Sequence, residues 1–341
     1  MKIALDTVGG DHGLAPNIEG ALQAANAFGV ELVLVGPAEA VRAELSSRGV
    51  GPADPRFEVV DAPDVVGMGE DPASACRAKP RSSIMVCAEL VAAGRAAGMV
   101  SAGNSGATLA AVTLWHLKRI PGILRPAIAA PIPTSKGVTL LLDAGANVDC
   151  KPWHLVQFAM MGSLLARRVY GVEKPTVGLL SIGEEEGKGN DLAKEAFAAL
   201  RAAGIGFVGA VEGRDVPAGK TDVVVCDGFV GNVLIKTMEG TAAAVVNLLK
   251  AELTASWRYK IPALALRGPF FRMRKKMSPD EYGGAPLLGV NGVVIVSHGS
   301  SNARAIASAV RAAANAVESG FVASLREAAG REAAKPEPAP I

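Results

Sequence analysis

Short apolar runs alternate with stretches of helical period from one end of the chain to the other. The pattern predicts strands over Lys2–Asp6, Glu31–Val35, Phe57–Asp61, Gly98–Ser101, Ile128–Pro131, Val138–Asp143, Thr176–Ile182, Gly206–Ala210, Asp222–Asp227 and Gly292–Val296. Helices are predicted near Asn17–Phe28, Ser82–Ala97, Ser105–His116, His154–Tyr170, Leu192–Ala203, Val230–Ala255 and Ala303–Ser319. Val177, Leu179, Leu180 and Ile182 typify the strands, apolar on both faces, as in parallel sheets covered by helices. This β-α rhythm implies an α/β fold with one largely parallel sheet, in a single domain over residues 1–330. Residues 331–341 are proline-rich and polar and are expected to be a disordered tail.

Polar, glycine-rich loops follow the strands. They read DTVGGDHG from Asp6, SAGNSGA from Ser101, DAGANVDCKP from Asp143, GEEEGKGND from Gly183, DGFVGNV from Asp227 and SHGSSNA from Ser297. Five carry an asparagine: Asn104, Asn147, Asn190, Asn232 and Asn302. Open α/β sheets bind ligands beyond the carboxyl ends of their strands, so these loops are expected to share one polar site. Asn, Asp and Gly are also what turns and helix caps are made of.

The loop from Gly183 to Asp191 is the most informative. Asn190 or Asp191 is placed to cap the following helix, and Gly183, Gly187 and Gly189 permit backbone that a side chain forbids. A helix amino terminus beside a lysine suits an anion, which makes Lys188 the candidate phosphate contact. The alternative is a solvated turn, since Glu184, Glu185 and Glu186 repel an anion unless they point away or hold a cation. The glycine spacing does not fit a nucleotide-binding Walker loop.

Composition narrows the class. With 341 residues, 50% hydrophobic and 20% charged, the chain can bury a large core. A formal charge of +2 argues against nucleic acid as a partner. Cys76, Cys87, Cys150 and Cys226 form no C-x-x-C pair and read as buried residues in a reducing compartment. The first strand starts at Lys2 with no apolar signal region before it, and no stretch reads as a spanning helix. A cytosolic protein, free or resting on a membrane, is therefore expected. His12, His116, His154 and His298 form no spaced ligand pair, and of these only His298 is a candidate site residue. Asp6, Asp143 and Asp227 suit capping better than a cation, so no metal is expected. No G-x-S-x-G elbow supports a serine hydrolase, and GGDHGLAP lacks the G-x-G-x-x-G spacing of a nicotinamide dehydrogenase.

The loops, with their neighbours, resemble a known family. DTVGGD at Asp6 is similar to the D-A-M-G-G-D signature of the bacterial phosphate acyltransferases called PlsX. The agreement continues through KPRSSI at Lys79, SAGNSGA, DAGAN, IGEEEGKGN at Ile182, DGFVGN, YGGAPLLG at Tyr282 and HGSSN at His298. It spans about Met1 to Glu318, with Thr7 and Val8 replacing Ala and Met and Ser105 standing where threonine is common. The resemblance implies a Rossmann-like layered fold akin to isopropylmalate dehydrogenases and phosphotransacetylases. It also implies a homodimer that passes a fatty acyl group from acyl carrier protein to inorganic phosphate, with no cofactor. The acyl phosphate would serve phosphatidic acid synthesis, with a downstream glycerol-3-phosphate acyltransferase as a partner. A thioester is already activated, so the site need supply only a phosphate seat, alignment and donors to the oxyanion. Lys188, Asn190 and His298 are then the candidate catalytic residues. Asp6, Gly9, Gly10, Asp11, Arg77, Lys79, Asn104, Asp143, Asn147, Gly187, Gly189, Asp227, Asn232 and Asn302 are the candidate substrate-binding residues, and Arg81 lies beside them.

Residues 253–279 stand apart. They hold Arg258, Lys260, Arg267, Arg272, Arg274, Lys275 and Lys276 with no acidic residue, interleaved with Trp257, Tyr259, Phe270 and Phe271. Pro262 and Pro269 are expected to break the segment into short helices. Such a mixture suits a segment lying on an anionic membrane, making the protein peripheral to the inner face of the cell membrane. The other readings are a dimer contact and a dock for the acidic carrier.

Overall fold

The apolar runs build two sheets rather than the single one their rhythm suggests. The computed structural model describes residues 1–256, 259, 264, 266–277 and 283–333. Its strands are β1 (Lys2–Asp6), β2 (Glu31–Gly36), β3 (Phe57–Asp61), β4 (Gly98–Ser101), β5 (Ala127–Ile128), β6 (Ala130–Thr134), β7 (Gly137–Leu142), β8 (Val177–Leu180), β9 (Phe207–Val211), β10 (Val223–Val225), β11 (Ala285–Leu288) and β12 (Val293–Val296). The helices are α1 (Leu14–Phe28), α2 (Ala38–Ser47), α3 (Pro72–Ala78), α4 (Ser83–Ala92), α5 (Ser105–Ala110), α6 (Pro152–Arg168), α7 (Asp191–Ala203), α8 (Asp215–Ala218), α9 (Gly228–Thr254), α10 (Arg267–Met277), α11 (Ala303–Glu318) and α12 (Phe321–Ala333).

One sheet has seven strands in the order β3-β2-β1-β4-β12-β11-β5, and the other has five in the order β6-β7-β10-β8-β9. The first is parallel from β3 to β12, and β11 runs antiparallel to both its neighbours, β12 and β5. The second is parallel except for β6. The chain changes sheet at Ala129, between β5 and β6, where the sequence predicts one strand. Pro131 and Pro133 lie in β6, an edge strand paired only with β7, where a missing amide breaks no second ladder.

Alternation along each strand builds the core. On β1, Ile3 and Leu5 face α1 and α11, packing with Ile18, Ile306 and Val310, while Ala4 faces Ile84 and Val112 on the other side. On the second sheet, Leu140, Leu142, Val223 and Val225 pack with Phe158 and Phe197 of α6 and α7. Leu141 and Val224 face the opposite way, toward Leu234, Ile235 and Met238 of α9. Full burial of each such side chain stabilises by about 1.5–3 kcal/mol, which fixes the strand ends where the loops begin. The strand read to Ile182 stops at Leu180, its last partner on β9 being Val211, and Ile182 is 80% exposed.

α9 leaves this core after Met238. It is 27 residues long and by length and composition is able to cross a membrane, although its most apolar window is only 6% buried. Lys236 and Glu239 interrupt the uncharged run, which hides that property from a reading of the sequence. Val233, Val245 and Leu248 on this helix are exposed. α10 begins at Arg267, so Pro269 sits in its first turn, where no intrahelical amide is needed, rather than breaking it. Part of the basic segment, including Trp257, Arg258, Lys260 and Pro262, lies outside the described residues, as does the tail from 334. Arg331, read as the start of that tail, belongs to the last turn of α12.

Candidate active site

The polar loops gather in two groups, one at the carboxyl end of each sheet. On the seven-stranded sheet the chain folds back on Asp6, which is fully buried. Its Oδ1 accepts the amides of Val8 and Gly9 at 3.3 and 3.0 Å, and its Oδ2 accepts the Ser101 hydroxyl at 2.7 Å. Burial pushes this carboxyl above the usual range, and these donors oppose that shift. Gly10 leads from this loop to Asp11, whose amide donates to Gly299 O at 2.8 Å and brings His298 and its neighbours alongside. His298 is exposed, and its Nδ1 lies 2.7 Å from the Ser300 hydroxyl and accepts the Ser300 amide at 3.2 Å.

The asparagines act largely as caps. Asn104, Asn190 and Asn302 accept the amides of Ala107, Ala193 and Ala305 at 3.0, 2.9 and 3.0 Å, closing the first turns of α5, α7 and α11. The Asn104 amide also donates to the carbonyls of Gly67, Met68 and Glu70, tying that loop to the site. Asn17, which no sequence motif singles out, donates to Thr7, Gly9 and Gly13 carbonyls and holds the Asp6 loop from behind.

On the five-stranded sheet Asp143 plays the part of Asp6. Its Oδ1 accepts the amides of Ile128, Gly145 and Ala146 at 2.9, 3.2 and 3.1 Å. Its Oδ2 accepts the backbone and side-chain nitrogens of Asn147 at 2.6 and 2.8 Å. Asp227 caps α9 through the Val230 amide at 2.8 Å, and Gly228 donates to Asn147 O at 2.7 Å. One turn on, Gly231 packs so tightly that a Cβ there would lie 1.9 Å from Asp143 O. Half-buried Asn232 then sits against Gly145.

In the loop after β8, two of the three glutamates are paired with cations outside the loop. Glu184 is paired with Lys220 at 2.5 Å and Glu186 with Arg201 at 2.7 Å, both turned back toward their own cations. Gly187 and Gly189 have φ of 91° and 100°, a region that side chains disfavour. Lys188 is exposed and makes no ion pair among the described residues, at the amino-terminal end of α7. The other predicted cations differ. Lys79 is held by Glu70 at 2.6 Å and by Val65 O, and Arg81 by Asp61 at 3.0 Å, so their charges are already matched. Arg77 is exposed in the last turn of α3.

A cavity of about 660 Å³ opens between α5 and the start of α6. Arg119, Arg125, Lys151 and His154 supply its polar lining, and Asn147 is the one predicted site residue that reaches it. Its cations were not legible because Arg125 and Lys151 come from separate loops and meet only in the fold. His154 is buried, and its Nδ1 accepts the Lys151 amide at 3.1 Å, so in the neutral ring the proton sits on Nε2. Burial, with Arg125 and Lys151 nearby, holds its pKa below the ordinary histidine value. Cys150, close by, is pushed up to about 12 by burial and by Asp143 and Asp227, which disfavours its thiolate. Among the described residues no group of three or more His, Cys, Asp or Glu is placed to hold a metal.

Comparison with known proteins gives this geometry a context. A family model described as "Fatty acid synthesis protein" matches residues 1–324. A phosphate acyltransferase of Elusimicrobium minutum is 51% identical over 96% of this chain and 95% of its own length. One from Pelotomaculum thermopropionicum is 48% identical over 96% and 94%. Among solved structures, a phosphotransacetylase from Streptococcus pyogenes covers 93% of this chain and 94% of its own, with a TM-score of 0.61 at 18% identity. A branched-chain phosphotransacylase from Enterococcus faecalis covers 92% and 99% with a TM-score of 0.53 at 16% identity, and both likenesses concern the fold.

Proposed function

Because this chain belongs to the phosphate acyltransferase family, and is an acyltransferase, we propose that it moves a fatty acyl group from acyl carrier protein to inorganic phosphate. The carrying observation is the loop after β8. With Glu184 and Glu186 tied to Lys220 and Arg201, exposed Lys188 makes no ion pair among the described residues close before the amino terminus of α7, a seat suited to phosphate. In the reaction a phosphate oxygen attacks the thioester carbonyl carbon. The C–O bond forms, and Lys188 and nearby amides stabilise the oxyanion. The C–S bond then breaks, and the carrier leaves as the thiol with a proton from the medium. Asn190 fixes the loop by capping α7, Asn232 after β10 and His298 after β12 serve the reactants from the other loops, and no residue is acylated on the way.

The test is release of free carrier thiol by the purified protein. It should require phosphate and proceed without added metal or nucleotide. Loss of the phosphate-dependent release on prolonged chelation contradicts the metal-free chemistry, and absence of any release contradicts the reading.

The same reading takes the protein to be a cytoplasmic homodimer resting on the inner face of the membrane, supplying acyl phosphate to a glycerol-3-phosphate acyltransferase on the way to phosphatidic acid. The exposed apolar stretch of α9 beyond Met238, with Val245 and Leu248 in water, favours a second copy packed along it. The basic residues around α10 favour an anionic surface at about 1 kcal/mol per cation near the headgroups. Replacing Arg272, Arg274, Lys275 and Lys276 with glutamate should release the protein from anionic vesicles and leave activity on the soluble carrier substrate intact. Vesicle binding that persists removes the membrane role, and a steep rise in KM for the carrier makes the segment its dock.

A further inference from the structure

The cavity between α5 and α6 is built for more than an anion. Its lining contains no carboxylate, so Arg119, Arg125 and Lys151 present their charge to whatever enters. Their placement is partly fixed in advance. Arg119 Nη1 donates to Leu124 O, and Lys151 Nζ lies 5.3 Å from the centre of the Trp153 ring. His154 adds a buried donor. It is 8% exposed, its Nδ1 is occupied by the Lys151 amide, and its Nε2 has no hydrogen-bond partner among the described residues where the ring lines the cavity.

The remaining wall is apolar. Leu109, Leu114, Leu124 and Trp153 line it, and the last three are 56%, 44% and 44% exposed, a concentration of large apolar side chains beside three cations. A widened turn sets this wall. Residues Ala111–Trp115 form a π-helical stretch continuing α5, with the His116 amide reaching back to Ala111 O, and it carries Thr113 and Leu114 into the lining. Such turns recur at functional sites. At about 660 Å³ the space lies in the range of small-molecule sites of about 300–1,000 Å³ and far exceeds a bare phosphate.

We propose that this cavity binds a phosphate group joined to an uncharged chain, its anionic end held by Arg119, Arg125, Lys151 and His154 and its chain laid along Leu109, Leu114, Leu124 and Trp153. The inference rests on the acyl-transfer reading for the two sources of such a group. One is the acyl phosphate product, and the other is the phosphate-linked thiol arm of the carrier. In either case the cavity is a second seat, distinct in its residues from the Lys188 loop.

Titration calorimetry on the full chain tests it with two probes: dodecylphosphonate, a stable mimic of the product, and 4′-phosphopantetheine for the arm. One of them should bind, identifying the source. The Arg125→Gln/Lys151→Gln variant should weaken it by about 100-fold, a factor of ten for each cation removed from the phosphate. Arg125→Lys should retain most of the affinity, and Leu114→Trp, which narrows the cavity from its exposed rim, should weaken it independently if the double variant does not fold. Failure of both probes to bind, or binding unchanged in the folded variants, overturns the proposal. Turnover of the wild-type chain in the same preparation separates the two ideas. Turnover without probe binding removes the cavity alone, and probe binding without turnover removes the acyl-transfer reading alone.

Discussion

Replacing Lys188 with alanine is expected to lower turnover about 100- to 1,000-fold, the usual effect of deleting one donor at a developing oxyanion. The fold should be unaffected, because the side chain is exposed and pairs with no acid among the described residues. The loop conformation should persist as well, since it rests on the Glu184–Lys220 and Glu186–Arg201 pairs, the Asn190 cap and the positive φ of Gly187 and Gly189. Steady-state kinetics at varied phosphate, with thermal unfolding as the control, decides the matter. Near-normal turnover and phosphate affinity would make the loop a solvated turn.

Gly231→Ala should act on the scaffold instead. A Cβ at that position falls 1.9 Å from Asp143 O, closer than a carbon and an oxygen can approach, so α9 must move away from the end of β7. Backbone forms the obstacle, and no flexible side chain can yield. The expected cost is about 3 kcal/mol, the upper part of the range for overpacking, together with a displaced Asp143–Asn147 loop and a loss of activity. Gly330→Ala in α12 provides the contrast, since nothing lies within 4 Å of its Cβ position. That change should be neutral or stabilising by up to about 1 kcal/mol. Denaturant unfolding of both variants is the measurement, and a Gly231→Ala protein as stable as wild type would show the close approach to be dispensable.

The two substitutions reflect what could and could not be read from the chain. β1, β3 and β4 fall where the apolar runs place them, because each is bounded by polar loop residues. The change of sheet at Ala129 was hidden, since Ile128 and Pro131 differ in their partners and not in their local pattern. β11 escaped notice for a related reason: Pro286 marks it as broken, yet in the fold its carbonyl accepts the Ala129 amide at 2.9 Å. α2 has only Val41 and Leu45 buried, too few to give a period.

The site was legible to a similar depth. The residue types at the strand ends announced polar loops, and they are there. Asp143 gathers donors from Ile128 to Asn147, and Asn104 reaches back to Gly67, assignments that depend on distant backbone. The grouping on two sheets and the Arg125–Lys151–His154 lining likewise exist only once the chain has turned at Ala129.

The central claim is that inorganic phosphate attacks the acyl thioester on this protein. The most direct measurement is the mass of the product formed from an acyl carrier thioester and phosphate labelled with oxygen-18 at all four positions. The expected product is acyl phosphate retaining the four labels, with one equivalent of carrier thiol released. Fatty acid with an unlabelled carboxylate, which would make water the nucleophile, or an unchanged thioester would contradict it.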